Sequence, residues 1–333
     1  MSHAAVRRRV AACLAGGRGF DAACSDVFAC GAKPPSRSWL AAQRTAIARE
    51  SLVLVARGDP AFPCVLTSIP DPPFALFVNG ELDALVQKSV AIVGSRRCAP
   101  GSERFAHALA RAVASAGIAV VSGLAIGIDG AAHRGALDAA GVTVAVLGSG
   151  HAQLYPRRHR RLAAAIVERG ATVSELPPMT PPWPANFPER NRLISGLAHT
   201  VVVVEAGEKS GSLTTARMAL EQGRDVMAVP GSPLNGRSRG CHRLIQAGAG
   251  LVDEPGDVLA NLGVQVPAPT APRELDAWTA RVLGAVPADD VRSLDEVIER
   301  VELPIERLLE TLGRLEVDGF VDRIDGGYIR RPR

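Results

Sequence analysis

Short apolar runs alternate with helical stretches between residues 89 and 262, and this alternation constrains the fold more than any other feature. The runs are rich in valine and isoleucine and nearly continuous, as expected for parallel strands buried on both faces. Helical stretches of about 10–15 residues between them permit right-handed β-α-β crossovers. The sequence therefore predicts an α/β fold with a doubly wound, mostly parallel sheet. The predicted strands are Ser89–Val93, Ile118–Ser122, Thr143–Leu147, Thr172–Ser174, Thr200–Glu205 and Asp225–Val229.

The pattern changes after a proline-rich stretch at residues 263–273, which is typical of a semi-rigid linker. Beyond it we predict three helices and a hairpin, the order of a small winged-helix domain. Ser293 and Glu296 form a capping box at the start of the second of these helices. The predicted organisation is a helical or partly disordered segment at 1–45, an α/β domain at 46–262, the linker at 263–273 and the winged helix at 274–333.

Charge is distributed unevenly along the chain. Residues 274–333 hold 9 arginines and 14 acidic residues, a net charge of −5, whereas residues 1–273 carry +9. A polyanion therefore favours the larger part of the chain. The predicted third helix of the winged-helix domain is acidic and would be repelled by phosphate, so we interpret this domain as a protein-interaction or regulatory module.

Missing motifs argue against several classes of function. No apolar run approaches the ~18 residues of a membrane span, and the scattered cysteines fit a reducing cytoplasm. No cysteine pair has CxxC spacing, and no HExxH is present, so no metal site is indicated. The dinucleotide fingerprint GxGxxG and the P-loop GxxxxGK[ST] are absent, so no bound cofactor is expected.

Loops rich in glycine and serine follow the predicted strands, at the edge where open α/β sheets bind ligands. Glycine lets the backbone approach a phosphate, and an adjacent arginine supplies a charged fork of donors. A single loop of this kind is as easily an ordinary turn, but several on one edge predict an extended anion-binding rim. The candidate binding residues are Gly94, Ser95, Arg96, Ser122, Gly123, Gly148, Ser149, Gly150, Phe187, Arg190, Asn191, Arg192, Ser210, Gly211 and Ser212.

Tyr155 stands just before four arginines at positions 157, 158, 160 and 161. Two interpretations of this run stay open. The arginines follow a nucleic-acid backbone while the ring stacks on a base, or they form the solvated face of a helix.

The order of these loops resembles the DNA-processing protein A (DprA/Smf) family. The matching motifs are VAIVGSR (90–96), SGLAIGID (122–129), LGSG (147–150), YP (155–156), FPERNRLISGL (187–197) and SGSLTTA (210–216). The resemblance covers about residues 50–262 and extends loosely to 274–330. The chain departs from the family at His159, where the family usually has asparagine.

The resemblance implies a Rossmann-like core that forms a homodimer, binds single-stranded DNA and loads the recombinase RecA, as in natural transformation. It implies no catalytic activity, and so no catalytic residues. The family's phosphate pocket carries over to the loop 94–96, to the loop 148–150, and to Phe187, Arg190, Asn191 and Arg192.

Two other functions remain as alternatives. The same loops suit a Rossmann-like nucleotide-processing hydrolase that relies on Glu205 or Asp129, and Ser122, Asp129 and His133 have the residue types of a hydrolytic trio. A winged-helix transcription regulator with an α/β sensor domain is the second alternative, which the acidic third helix disfavours.

Overall fold

The computed structural model describes residues 36–264, 275–288, 290–301, 303–317, 320–324 and 326–330. Its strands are β1 Val53–Ala56, β2 Ala75–Gly80, β3 Ser89–Val93, β4 Ala119–Ser122, β5 Thr143–Val146, β6 Ala171–Ser174, β7 Thr200–Val203, β8 Asp225–Ala228, β9 Gly250–Leu251, β10 Val321–Ile324 and β11 Gly327–Arg330. Its helices are α1 Arg37–Arg49, α2 Pro100–Ser115, α3 Ile128–Asp138, α4 Arg160–Val167, α5 Asn186–Leu197, α6 Gly211–Glu221, α7 Arg239–Gln246, α8 Pro255–Asn261, α9 Ala277–Ala285, α10 Leu294–Val301 and α11 Ile305–Val317.

Nine strands form one sheet in the order β1-β2-β6-β5-β4-β3-β7-β8-β9. The pairings from β6 to β9 are parallel, while β1–β2 and β2–β6 are antiparallel. The chain runs outward from β3 through β4, β5 and β6, then returns to place β7 on the other side of β3. The connections therefore diverge between β3 and β7, and this divergence is the switch point at which α/β sheets open a crevice.

Helices cover both faces of the sheet, which explains why strands β3 to β7 are buried along their whole length. On one face, Leu193 and Ile194 of α5 pack against alternate residues of the central strands. On the other face, Leu109 and Val113 of α2 pack with Ile128 of α3 against the intervening residues. The predicted α/β fold with a doubly wound, mostly parallel sheet is confirmed, and the observed strands differ from the predicted ones by at most two residues at an end.

Helix α1 crosses the domain boundary predicted at residue 45. Ser36 caps it by accepting a hydrogen bond from the backbone amide of Trp39, and Leu40 and Ala46 are buried. Gln43 also accepts from the amide of Met179 at 3.0 Å, which ties this helix to the sheet body. Residues 1–35 and 265–274, which hold most of the predicted first segment and linker, lie outside the described residues.

The C-terminal region has the predicted winged-helix order of three helices followed by the hairpin β10–β11. The capping box forms, because the Ser293 hydroxyl accepts from the Glu296 amide at 3.3 Å and the Glu296 carboxylate accepts from the Ser293 amide at 2.9 Å. Arg104 of α2 donates to the carbonyl oxygen of Ala288 at 3.0 Å. Across the described ranges, no helix combines the length and the apolar character needed to cross a membrane.

Candidate nucleic-acid interface

An open cleft of about 590 Å³ lies at the carboxyl ends of the parallel strands, beside the switch point between β3 and β7. Loops that are far apart in sequence meet there, because parallel strands bring their following loops to one edge. Eight of the candidate residues line this cleft: Gly94, Arg96, Phe187, Arg190, Asn191, Ser210, Gly211 and Ser212.

The loop after β3 is held tightly against its neighbours and presents the Arg96 guanidinium to the cleft. The amide of Ser95 donates to the carbonyl oxygen of Glu205 at 2.8 Å, and a Cβ on Gly94 would lie 2.7 Å from the Ile128 side chain. The Arg96 side chain is exposed, and its guanidinium lies 5.4 Å from the centroid of the Phe187 ring. No described carboxylate pairs with Arg96, so this guanidinium is available to an anion from solution.

Arg190 forms the floor of the cleft and is fixed by its hydrogen bonds. Its guanidinium donates to the carbonyl oxygens of Gly123, at 2.9 Å, and Val146, so it joins the ends of β4 and β5. Burial lowers the pKa of Arg190 to about 10, which leaves the group charged at neutral pH. Arg190 therefore adds positive potential beneath the cleft, while its Nη1 donors are engaged by the two carbonyl oxygens.

Asp129 lies beside Arg190 and shapes the neighbouring loop. Its carboxylate accepts from the amides of Gly123 at 3.1 Å and Ala125 at 3.4 Å. Burial raises the pKa of Asp129, whereas Arg190 and the two amides act in the opposite direction. The cap position of α3 is Gly127, with a φ of 77°, so Asp129 stabilises the loop before the helix instead of serving as its first cap.

Two aromatic rings form one wall of the cleft. The Phe187 and Tyr155 rings meet edge to face, with centroids 5.7 Å apart. Gly148 lies directly behind Phe187, since a Cβ there would lie 2.6 Å from a ring carbon. The loop 148–150 therefore positions the aromatic wall and does not itself line the cleft.

The helices that begin near the cleft differ at their N-termini. At α2 the Glu205 carboxylate accepts from the Ala99 amide at 2.9 Å and the Ser102 hydroxyl at 2.7 Å, so that terminus is closed by the protein itself. At α6 the cap is Ser210, and the first turn faces the cleft. The unsatisfied amides and dipole of a helix N-terminus favour an anion, so α6 is the helix end that fits phosphate.

Several of the candidate binding residues make their contacts away from the cleft. The Ser122 hydroxyl donates to the Ile92 carbonyl at 2.6 Å, inside the sheet. Arg192 pairs with Glu175 at 2.5 Å and Asp71 at 3.1 Å. Ser95, Ser149 and Gly150 also lie behind the lining, and Gly123 lines a smaller neighbouring groove. The order of loops and strands predicts the edge of the sheet for these residues but does not predict which of them face the cleft.

The residues proposed for a hydrolytic alternative do not form a catalytic arrangement. The Ser122 hydroxyl is used within the sheet, and His133 is bonded to the hydroxyl of Thr143 at 2.7 Å. Burial lowers the pKa of His133 to about 3, too low for a general base near neutral pH. Glu205, the other candidate, is engaged at the start of α2.

Some residues that line the cleft are not among the candidate binding residues predicted from the sequence. Tyr155, Pro182, Pro184 and Thr215 all contribute to the cleft. The pairing of Tyr155 with the arginine run was visible in the sequence. Nothing in the sequence, however, indicated that the prolines reach the same edge.

The comparisons with known proteins agree with this architecture. The family described as DNA recombination-mediator protein A matches residues 53–263, and the DprA winged helix domain matches residues 266–327. The chain belongs to the DNA recombination-mediator protein A family. The family resemblance predicted from the loop motifs is thereby confirmed, and so is the role in DNA processing and recombination mediation that it implied.

Individual relatives match over most of their length. Protein Smf of Escherichia coli (strain K12) is 44% identical over 290 residues, covering 84% of this chain and 78% of that protein. DNA processing protein DprA of Streptococcus pneumoniae is 45% identical over 202 residues, covering 61% of this chain and 71% of that protein.

Two solved structures share the fold. The X-ray structure of DNA processing protein A from Streptococcus pneumoniae superposes with a TM-score of 0.64 at 37% identity, covering 77% of this chain and 86% of that one. The protein from Helicobacter pylori, described for its single-stranded DNA binding mode, has a TM-score of 0.58 at 28% identity, covering 64% of this chain and 97% of that one.

His159 is the position at which the sequence predicts a departure from the family pattern. The ring is buried, and Nδ1 pairs with the carbonyl oxygen of Leu124 at 2.9 Å. Leu124 has a φ of 57°, in the left-handed region that leucine rarely adopts. His159 therefore stabilises the loop after β4 in a strained conformation.

Proposed function

We propose that this chain binds single-stranded DNA in the cleft, with phosphates at Arg96 and the N-terminus of α6 and a base against Phe187. The observation that carries the proposal is the exposed Arg96 guanidinium 5.4 Å from the Phe187 ring centroid, opposite a capped helix start. A guanidinium over an aromatic ring offers a charge for the DNA backbone and a flat surface for the attached base at one site.

The preference for a single strand follows from the aromatic ring. A base stacks on a side chain only when it is free of its duplex neighbours, and stacking tolerates any base. The Helicobacter pylori relative, described for its single-stranded DNA binding mode, supports the same ligand. The acidic α11 offers duplex phosphate little attraction, with Glu306 and Glu310 exposed.

In this proposal the chain works in the cytoplasm as a homodimer, hands bound DNA to RecA and catalyses no reaction. The support is the recombination-mediator family itself. RecA assembly on oligo-dT, followed through its ATP turnover with and without this chain, tests the hand-over. Sedimentation velocity tests the dimer.

The binding experiment is fluorescence anisotropy with labelled oligo-dT and the matching duplex over a salt series. The wild type should prefer the single strand, with log affinity falling by about 0.7 per phosphate contact for each unit of log salt. Arg96→Ala should weaken binding about 10–100-fold, since a hydrogen bond to a charged group contributes about 1.5–3 kcal/mol.

Arg217→Ala is the matched control, because Arg217 is exposed on α6 and pairs with Glu221 away from the cleft. It removes the same charge and should change affinity less than about twofold. Duplex preference, or equal losses in the two variants, would contradict the proposal.

A further inference from the structure

A second, smaller groove joins the cleft on the far side of its aromatic wall. This side groove, of about 80 Å³, is lined by Arg96, Gly123, Ala125, Ile126, Tyr155, Pro156, Arg158 and Phe187. Arg96, Ala125, Tyr155 and Phe187 also line the cleft. The two depressions therefore share a wall, and a chain that leaves the cleft over this wall enters the side groove.

The charge of the side groove is entirely positive. Arg96 and Arg158 line it, and no acidic side chain does. Arg158 is exposed, and among the described residues neither an ion pair nor a hydrogen bond engages its guanidinium. An arginine fork with all its donors free, in a depression with no carboxylate, suits a phosphate.

Tyr155 separates the cleft from the side groove and offers an open ring. It is 46% exposed, and it meets Phe187 in an edge-to-face pair with centroids 5.7 Å apart. A half-exposed ring that a second ring holds in place is a platform for a base. The order Phe187, Tyr155, Arg158 thus repeats the cleft's pairing of an aromatic ring with a cation.

Arg160, two residues further along the same run, provides a contrast. It is also exposed, but it lines a different cavity together with Arg49, Glu50 and His151. The arginine run therefore diverges at the start of α4, with one member at the side groove and another at a separate surface.

We propose that the side groove binds the continuation of the DNA strand held in the cleft, with a phosphate at Arg158 and a base against Tyr155. This inference rests on the proposed function and extends it, because it assigns the path of the strand beyond the cleft. It also assigns the role of the arginine run, for which the sequence left two interpretations open.

The test is binding of oligo-dT from about 4 to 16 nucleotides, the range of site sizes for single-strand binding folds. Arg158→Ala should leave the shortest oligonucleotides unaffected and weaken the longest about five- to tenfold. The salt slope for the longest should fall by about 0.7, the value for one lost phosphate contact. Tyr155→Leu should weaken the longer oligonucleotides, while Tyr155→Phe should restore binding.

Arg160→Ala is the matched control, because it removes the same charge from the same run and should change affinity at no length. If Arg158→Ala and Arg160→Ala behave alike while Arg96→Ala still weakens binding about 10–100-fold, the side groove is not part of the path and the cleft proposal stands. If the wild type binds no oligonucleotide of any length, both proposals fail together.

Discussion

The glycines at positions 94, 123, 127, 148 and 150, in the loops around the cleft, lie against other atoms, whereas the helical glycines Gly284 and Gly313 of the winged helix face open space. A Cβ on Gly148 would lie 2.6 Å from the Phe187 ring, while nothing lies within 4 Å of a Cβ on Gly313 in α11. These five loop positions are thus shaped by close approach, and the contact at Gly148 fixes the position of an aromatic ring of the cleft. The winged helix is held together by its apolar core, and its surface has space for a larger side chain at Gly313.

Charge also differs between the two regions. Arg96 at the cleft and Arg158 at the side groove lack acidic partners among the described residues, whereas Arg314 of α11 pairs with Glu310 at 3.7 Å. Residues 274–333 carry a net charge of −5, whereas residues 1–273 carry +9. We therefore expect the body to favour a polyanion and the winged helix to favour a basic or neutral surface.

Adding one methyl group to each region should give the largest contrast between the two regions. Gly148→Ala should displace Phe187 and weaken oligo-dT binding about tenfold, since overpacking costs about 1–3 kcal/mol. Gly313→Ala should leave binding unchanged and raise the free energy of unfolding by about 0.5–1 kcal/mol, the usual gain of alanine over glycine inside a helix. Anisotropy and urea unfolding of both variants measure the contrast. Equal losses of oligo-dT affinity in the two variants would contradict this difference between the regions.

Acid should destabilise the body before the winged helix. Burial lowers the pKa of His133 to about 3 and of His151 to about 4, so below their ordinary value of 6.5 protons bind only to the unfolded chain. Each histidine then lowers the free energy of unfolding by about 1.4 kcal/mol per pH unit as the pH falls.

In the winged helix, hydrogen bonds from Thr279 and Ser293 lower the pKa values of Asp276 and Glu296. Their contribution is present above the ordinary values of 3.8 and 4.5 and is lost only as the pH falls below them. The pH range 4.5–6.5 should therefore affect the body alone.

The regional pH dependence can be measured by tryptophan fluorescence during urea unfolding. Trp278 reports on the winged helix once Trp39 and Trp183 are replaced by phenylalanine, and the reverse replacement reports on the body. His133→Asn should reduce the pH dependence of the body only. A winged helix that loosens first between pH 6.5 and 4.5 would contradict this assignment.

The smallest effects distinguish two helix caps of similar strength. Ser210→Ala and Ser293→Ala should each cost about 1 kcal/mol of stability, the usual value of a lost N-cap. Only Ser210 lies in the cleft, so only its variant should also weaken oligo-dT, about two- to fivefold. Loss of binding in Ser293→Ala would place the winged helix on the DNA path.

The strands and the binding edge were predictable because they depend on local pattern. Apolar runs such as Thr200–Val203 need both faces covered, and the loops after parallel strands must share an edge. The winged helix was predictable for the same reason, since capping residues and a turn signal mark its elements.

The direction of individual side chains was not predictable. Arg190 and Arg192 stand two apart on one helix, yet Arg190 closes the floor of the cleft while Arg192 pairs with Glu175 and Asp71. Both partners come from segments far away in sequence. No local pattern distinguishes a buried fork of this kind from a free one. Of the three arginines in the predicted binding set, Arg96 alone is exposed and without an ion pair among the described residues.

The switch point between β3 and β7 fixes the position of the cleft, whereas the loops beside it determine which ligand the cleft accepts. The order of strand connections alone opens the crevice, and none of its lining side chains is needed for that. To change the ligand of this protein, one can therefore keep the sheet as a fixed scaffold and exchange the loops at 94–97 and 207–212. Evolution can likewise change the ligand through substitutions in these loops without changing the fold.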